Sequence, residues 1–479
     1  MNRQNLVGHL ALASMFVVAA AFIGQIQRWE GRRAARPGAV VAPRREAPPP
    51  AGERAEARES GRPEVLVRFR PGLSAERVRD IAERLNDRVE DEIEAVEGLH
   101  SIDDLDDASA DAVVGEYAAL PEVLYAERND TISLWPRRGE SIRGRFAAAP
   151  SAGPNDPLFG EQWALTNGGD RGGKDKADIS ALDAWAKTRG SRTVVVAVLD
   201  SGVDYTHLDL AGNIWQRPAS LAPYRDDELG EVDDFHGFSA VEDLRDPMDD
   251  NGHGTHCAGI VGAEGDNGLG IAGVNWQVQV MPLKFIGKGG FGSTKDAIEA
   301  INYVIQRRRD GVNVRVISAS WGSRQKSRAL EDVIRKAGDE GVLFVAAAGN
   351  NGQDADRFPH YPSNYDLPNV LSVAALTRRD ELASFSNYGA KSVHLAAPGA
   401  EILSTWLGDG FEEHSGTSMA TPVVSGVAAL VLSAEPNLSV KELRQRLLDT
   451  VDKLDALRGK IASGGRVNAA RAVKAETRD

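Results

Sequence analysis

The chain has 479 residues, 42% of them apolar, and a formal net charge of −14. This excludes a wholly disordered chain and leaves room for two or three folded units. With 70 acidic against 56 basic side chains, a general nucleic-acid binder is excluded, because it needs a basic face to displace counterions. In chain order, residues 6–26 are mostly apolar behind a single Arg3, with a small-residue run at Ala19–Ala21. That stretch reads as a signal peptide or, being long enough to span a bilayer, as a membrane anchor (1–27); either makes the protein secreted or extracytoplasmic. Arginines 28, 32, 33 and 36 follow it and leave its orientation open. Residues 28–62 are rich in Pro, Arg and Ala and are expected to be a disordered linker.

A small unit is expected over 63–133. The run VLVRF (65–69) alternates like a strand, and SAERVRDIAERL (74–85) opens on a Ser cap with apolar residues at helical spacing. A second helix, SADAVVGEYAAL (109–120), precedes a second strand, EVLYAERN (122–129). Strand, helix, middle, helix and strand in about 70 residues suit an α+β sandwich. Residues 134–153 form another polar linker, open to cutting.

From 154 to 479 short apolar runs recur at 193–200, 278–285, 314–322, 341–350, 370–376 and 393–399. Amphipathic helices at 294–309 and 327–340 lie between some of them. The fold class expected is α/β, a parallel twisted sheet with helices on both faces. In such sheets functional groups gather at the carboxyl ends of strands.

Three motifs carry chemistry. VLDSGVD sets Asp200 at a strand end, NGHGTHCAGI sets His253 and His256 at a helix entry, and SGTSMATPVVSGVAALVL sets Ser418 at the start of a buried helix. A serine hydroxyl needs a base to take its proton, and the base needs a third group to fix its tautomer. A helix N-terminus also offers orphan N–H groups to a developing negative charge. The paired histidines lack the HExxH spacing and a third ligand, which argues against zinc.

These motifs, in the order Asp, His, Ser, resemble those of the subtilase family over about 155–472, and Cys257 resembles the thermitase-like and proteinase K-like branches. The resemblance implies a serine endopeptidase with Asp200, His253 and Ser418 as its triad, His256 structural and Cys257 a packed thiol. It implies an oxyanion amide at Asn350, with Asn351 the neighbouring alternative. Substrate backbone would lie along Gly289–Gly292, through Gly290, and along Ser320, Trp321 and Gly322. Trp321 would reshape an upstream side-chain pocket, and His360 would line the floor of the primary pocket. Asp156, Asp209 and Asn267, with carbonyls from Glu264, Leu269 and Ile271, resemble a structural calcium site. A second cation site among Glu242, Asp246, Asp249 and Asp250 is doubtful, because Ser239 and Leu244 stand where ligands would fall.

The unit at 63–133 resembles an inhibitor-type propeptide, so the chain is expected to be a self-processing zymogen with a maturation site in 134–153. Expected partners are protein or peptide substrates and the chain's own propeptide, with no nucleic acid, membrane attachment only through the N-terminus, and a monomeric state. The alternative is a catalytically inactive binding protein on the same fold. An intact triad, Asn350 and the glycine-rich edges argue against it.

Overall fold

The structure is a computed structural model that describes residues 64–106, 108–134, 139–141, 153–226, 230–241 and 245–474. The expected leader (1–27), the linker (28–62), most of 134–153 with its maturation site, and Glu242 and Leu244 lie outside the described residues.

The first unit builds β1 (Glu64–Phe69), α1 (Ala75–Arg84), β2 (Asp87–Glu92), β3 (Leu99–Asp104), α2 (Ala110–Ala118) and β4 (Val123–Arg128). Its antiparallel sheet runs β2-β3-β1-β4. The Ser74 hydroxyl accepts the Arg77 N–H at 3.2 Å, and Ser109 does the same for Ala112 at 3.3 Å, so both helices start on side-chain caps. One sheet face packs Val65, Val67, Phe69 and Ile102 on Val78, Ile81, Val113 and Tyr117. Two short strands follow, β5 (Thr131–Ser133) and β6 (Gly139–Ser141).

The large unit begins with the short helix α3 (Ala181–Trp185), then β7 (Gly190–Asp200), a hairpin of β8 (Tyr224–Asp226) and β9 (Gly230–Val232), and β10 (Phe238–Ser239). Next come α4 (His253–Gly262), β11 (Gln277–Lys284), β12 (Phe291–Ser293), α5 (Thr294–Arg309), β13 (Val314–Ala319), α6 (Arg328–Asp339) and β14 (Leu343–Ala347). The chain ends through β15 (Val370–Leu376), β16 (Leu395–Pro398), the hairpin β17 (Ile402–Trp406) and β18 (Gly410–His414), α7 (Thr417–Ala434), α8 (Val440–Asp449), β19 (Asp452–Lys453), β20 (Gly465–Arg466) and α9 (Ala469–Lys474). Nine strands form one sheet in the order β10-β11-β7-β13-β14-β15-β16-β20-β19, parallel throughout except for the β19–β20 edge pair.

Side-chain alternation along β7 explains the layers. Val194, Val196 and Val198 join the core built with α4 and α7, while Val195, Ala197 and Leu199 join the core built with α5 and α6. Both faces are therefore buried, which is why the strand reads as a continuous apolar run. Helix α7 is apolar enough to cross a membrane by composition, but 89% of it is buried in the first of these cores.

The second core extends into the first unit through Leu66, Ile93, Ala95, Val96, Leu99 and Tyr125. Around this apolar contact the first unit supplies oxygens to the N-termini of α5 and α6. Glu127 accepts from the N–H groups of Arg328 (2.9 Å) and Ala329 (3.1 Å), and Asn129 Oδ1 accepts from that of Lys295 (2.8 Å). These donors have no partner within their own helices, so the first unit completes both ends.

Candidate active site

Asp200 ends β7, fully buried, and its Oδ1 takes the Ser201 N–H at 2.8 Å and His253 Nδ1 at 2.7 Å. A carboxylate only accepts, so Nδ1 carries the hydrogen and the Nε2 lone pair is left for a proton. His253 starts α4 because Gly252 (φ +98°) turns the chain where a side chain would strike the Trp406 ring. One residue on, a Cβ at Gly254 would lie 2.0 Å from the Gly202 carbonyl oxygen, so only glycine lets α4 approach the end of β7.

The α4 entry is held by a single carboxylate. Asp249 accepts from the N–H groups of Asn251, Gly252 and Thr255, each at 2.9 Å, and from the Thr255 and Ser201 hydroxyls at 2.6 and 2.9 Å. Asp250 pairs with Lys284 at 2.7 Å, Asp246 takes the Tyr205 hydroxyl at 3.1 Å, and Ser239 Oγ takes the Val241 N–H at 3.4 Å. Of the groups considered for a second cation site, Asp246, Asp249 and Asp250 are thus engaged in holding this loop.

Ser418 lies in the first turn of α7, and its hydroxyl donates to the Ser320 carbonyl at 2.9 Å. Among the described residues it makes no hydrogen bond to His253; in sites of this kind that bond often tightens only when substrate is bound. Asn350 follows β14. Its Oδ1 accepts from the Thr417 N–H (2.8 Å) and hydroxyl (2.9 Å), which leaves Nδ2 for the cleft. A Cβ placed on Gly416 would lie 3.5 Å from both Asn350 Nδ2 and the Ser418 nitrogen, so these two donors border one space. Asn351 instead gives its backbone N–H to Asn387 Oδ1 at 3.1 Å.

His256 is buried, with Nε2 near the Ile402 and Glu412 carbonyls (3.1 and 3.0 Å) and its ring edge-on to His414; burial, with His414 beside it, holds it neutral. Cys257 is fully buried, with Sγ 3.5 Å from the Ser418 carbonyl oxygen, and burial, with Asp200 nearby, pushes its thiol well above the ordinary range. Asp200, His253 and Cys257 could be grouped as metal ligands by spacing. A neutral thiol and a hydrogen-bonded Asp–His pair are poor donors for that role.

The glycine-rich edges flank a strand of the chain itself. β5 pairs antiparallel with β12, Ser133 opposite Phe291, and Ser133 also bridges to Gly322 on the other side. The Leu134 N–H donates to the Gly290 carbonyl at 2.8 Å. Further along, β6 pairs antiparallel with β18, Gly139 opposite His414. Ser320 is buried and its hydroxyl donates to the Ser418 carbonyl at 2.8 Å. The Trp321 indole N–H donates to Leu199 O at 2.9 Å and its ring packs edge-on to Phe285, in the same buried cluster as Ile132 of β5. His360 lies under Gly322 and Gly349, where a Cβ would approach its ring to 2.3 and 3.1 Å respectively, and burial lowers it to about 4.

The proposed calcium residues converge from three segments. Asp156 and Asp209 are both buried. Asp156 takes the N–H groups of Asp266 (2.7 Å) and Asn267 (3.3 Å), and Asp209 takes Asn267 Nδ2 and the Ile271 N–H, each at 2.9 Å. Glu264 gives its backbone N–H to the Asp209 carbonyl (2.8 Å) and its carboxylate accepts from Arg192 (2.9 Å), while Leu269 is exposed and gives its N–H to Asn267 Oδ1 at 2.7 Å. Burial, with Asp156 and Glu264 adding repulsion, pushes Asp209 up to about 7. Buried acids with that history are groups a divalent cation would relieve, and the donors are hard oxygens, so the residues fit calcium.

A serine at a helix N-terminus, a histidine tied to a buried aspartate and an amide beside the serine define a hydrolase-type site on a parallel α/β sheet. Residues 191–467 match the Subtilase family, and the chain belongs to it. Residues 51–129 match the fervidolysin N-terminal prodomain. The chain is similar to the thermophilic serine proteinase of Bacillus sp. (strain AK1), 38% identical over 60% of this chain and 64% of that protein. It is also similar to the halolysin-like extracellular serine protease Nep of Natrialba magadii, 36% identical over 62% of this chain and 48% of that one. Thermitase of Thermoactinomyces vulgaris is 34% identical over 67% of this chain and 99% of its own length. Apart from thermitase, the chain spans less than two thirds of the length of these relatives.

Sequence reasoning missed Asp249 as the cap of α4 and Thr417 as the anchor of Asn350. A Thr directly before a nucleophile signals nothing alone, and Asp249 reads equally well as a cation ligand.

Proposed function

We propose that the protein is a serine endopeptidase that cleaves polypeptides through an acyl-enzyme, made as a zymogen inhibited by its own residues 63–133. The observation that carries this reading is the 2.7 Å His253–Asp200 contact beside a serine whose backbone N–H and the Asn350 amide border one space. Ser418 Oγ attacks the carbonyl carbon of the scissile bond as its proton passes to His253 Nε2. Asp200 Oδ1 stabilises the imidazolium, and Asn350 Nδ2 with the Ser418 N–H holds the oxyanion. His253 then gives the proton to the leaving nitrogen, the amine departs, and water repeats the sequence on the ester.

Extended substrates add a strand along Gly290–Phe291 and Ser320–Gly322. The support is that β5 pairs there already, in the manner of a bound peptide. Trp321 and His360 then shape side-chain preference. Calcium held by Asp156, Asp209, Asn267 and carbonyls of Glu264, Leu269 and Ile271 pins the start of the large unit to its body. The leader-like segment at residues 6–26 supports a secreted or extracytoplasmic enzyme, whether that segment is a cleaved signal or an anchor. Ser418→Ala is the test. It is expected to lower turnover on the order of 10⁶-fold and to leave the precursor uncut; unchanged activity and processing would remove Ser418 as the nucleophile, and a wild-type chain with no activity would return the protein to a binding role.

A further inference from the structure

The contact between the first unit and α5 contains two carboxyl groups facing each other. Asp91 on β2 is 5% exposed and Glu299 is 7% exposed, one turn along α5 from Lys295, whose 2.8 Å pair with Glu90 ties β2 to that helix, so the two carboxyls face each other out of water. Two carboxylates are acceptors only and repel each other, so burying them face to face favours a hydrogen on one of them. We propose that docking of the 64–129 unit takes up one proton, held between Asp91 and Glu299, so that the docked state weakens as pH rises.

The surroundings favour this. Asp226, buried on the β8–β9 hairpin, adds negative charge beside Glu299, and Asp226, Glu94 and Asp91 all face Tyr224, which burial keeps protonated. Lys295 is the cation facing Glu299, but it is engaged by Glu90 at 2.8 Å and Glu64 at 3.8 Å. Arg307, further along α5, is held by Asp234 at 2.7 Å. His100 on β3, beside the Asp91 backbone, is kept neutral by burial. Burial first, then Asp91, raises Glu299 well above the ordinary carboxyl range. Glu90 goes the other way: burial opposes, but Lys295 outweighs it and holds that carboxyl down, so it is ionised throughout the window that matters.

Once the unit leaves, Asp91 leaves with it, and both carboxyls face water with values near 4. A group raised in the docked state supports docking fully below that ordinary value and loses its contribution as pH climbs through the raised one. One proton makes the undocking constant rise about tenfold per pH unit across that span. Glu127 at the α6 contact is also raised by burial, and a comparison of variants subtracts its share.

This rests on the reading of residues 63–133 as an inhibitor, so the experiment follows docking and not activity. Full-length Ser418→Ala protein is followed by hydrogen exchange of the β2 amides from pH 5 to 8, corrected for intrinsic exchange. The opening constant is expected to rise about tenfold per unit in this parent and to lose about one proton of slope in Glu299→Gln, whose amide supplies the missing hydrogen. Asp91→Asn, which acts from the other partner, should flatten it likewise and serves alone if Glu299→Gln fails to fold. A slope that is absent in the parent, or unchanged in the variant that folds, overturns the proposal. A normal slope in a protein whose 64–129 unit does not inhibit would sink only the inhibitor reading.

Discussion

Thr417 grips the amide oxygen of Asn350 twice, through its backbone N–H at 2.8 Å and its hydroxyl at 2.9 Å. The amide cannot flip without breaking both bonds, so its nitrogen is committed to the space beside Ser418.

Asn350→Ala is therefore expected to lower kcat by roughly 10²–10³-fold with little change in KM, since the lost bond forms with charge that develops in the transition state. Thr417→Val removes one of the two anchors and should cost less, about tenfold in kcat. Steady-state kinetics on a peptide substrate separates these from a folding defect, which would reduce the active fraction and not kcat per active site.

Calcium should raise the unfolding temperature of the mature enzyme, because a ligand that binds only the folded state adds stability in proportion to RT ln(1 + [L]/Kd). Chelation is expected to lower the melting point, and Asp209→Ala should abolish most of the difference. Identical melting curves with and without chelator would remove the assignment of Asp156, Asp209 and Asn267.

Buried His360 is lowered to about 4 by its burial, with Arg324 adding repulsion. In the unfolded chain its value is near 6.5, so the histidine is neutral in both states above that pH and costs nothing there. Below it the unfolded state binds the extra proton, and the loss grows to about 3 kcal/mol as the pH falls to about 4. His360→Asn should reduce the acid-induced loss of stability between pH 6.5 and 4 relative to the parent, read from denaturant melts of Ser418→Ala protein. His360→Asn should also change the preferred residue before the scissile bond, as a peptide library would report.

Maturation is expected to leave an N-terminus between Thr131 and Ala152, ahead of Asn155 and Asp156. Glu127→Ala, which removes the oxygens that accept from the first N–H groups of α6, should weaken inhibition by the released 63–133 unit roughly fivefold, the effect of about 1 kcal/mol for a lost cap. Amino-terminal sequencing and an inhibition titration check the pair, and a mature start inside 63–129 would contradict the zymogen scheme.

The sheet and triad were legible because each carries a redundant signal. Val194–Leu199 is apolar on both faces, as only a strand covered twice would be, and the triad residues come with glycines whose spacing repeats the family pattern. β2 (DRVEDE) and β3 (LHSIDD) are not legible, since neither alternates like VLVRF or EVLYAERN. Their polar residues look solvent-facing, yet Asp87, Asp91, His100 and Asp104 are buried. Asp91 answers Glu299, far away in sequence, and Asp87 faces Tyr117 of α2, and no local period encodes either. The β6–β18 pairing is hidden for the same reason, since GES and FEEH carry no strand signature on their own.

The close approach of Gly254 to the Gly202 carbonyl has a consequence for how the protein tolerates change. The gap between acid and base is set there by a missing atom and not by an interaction. A single methyl group at position 254 would force α4 away from β7 and part Asp200 from His253 while leaving both side chains chemically intact. A random library should therefore lose function at positions with no reactive group at all. Such losses would be repaired by removing atoms from the facing wall, and not by restoring a charge.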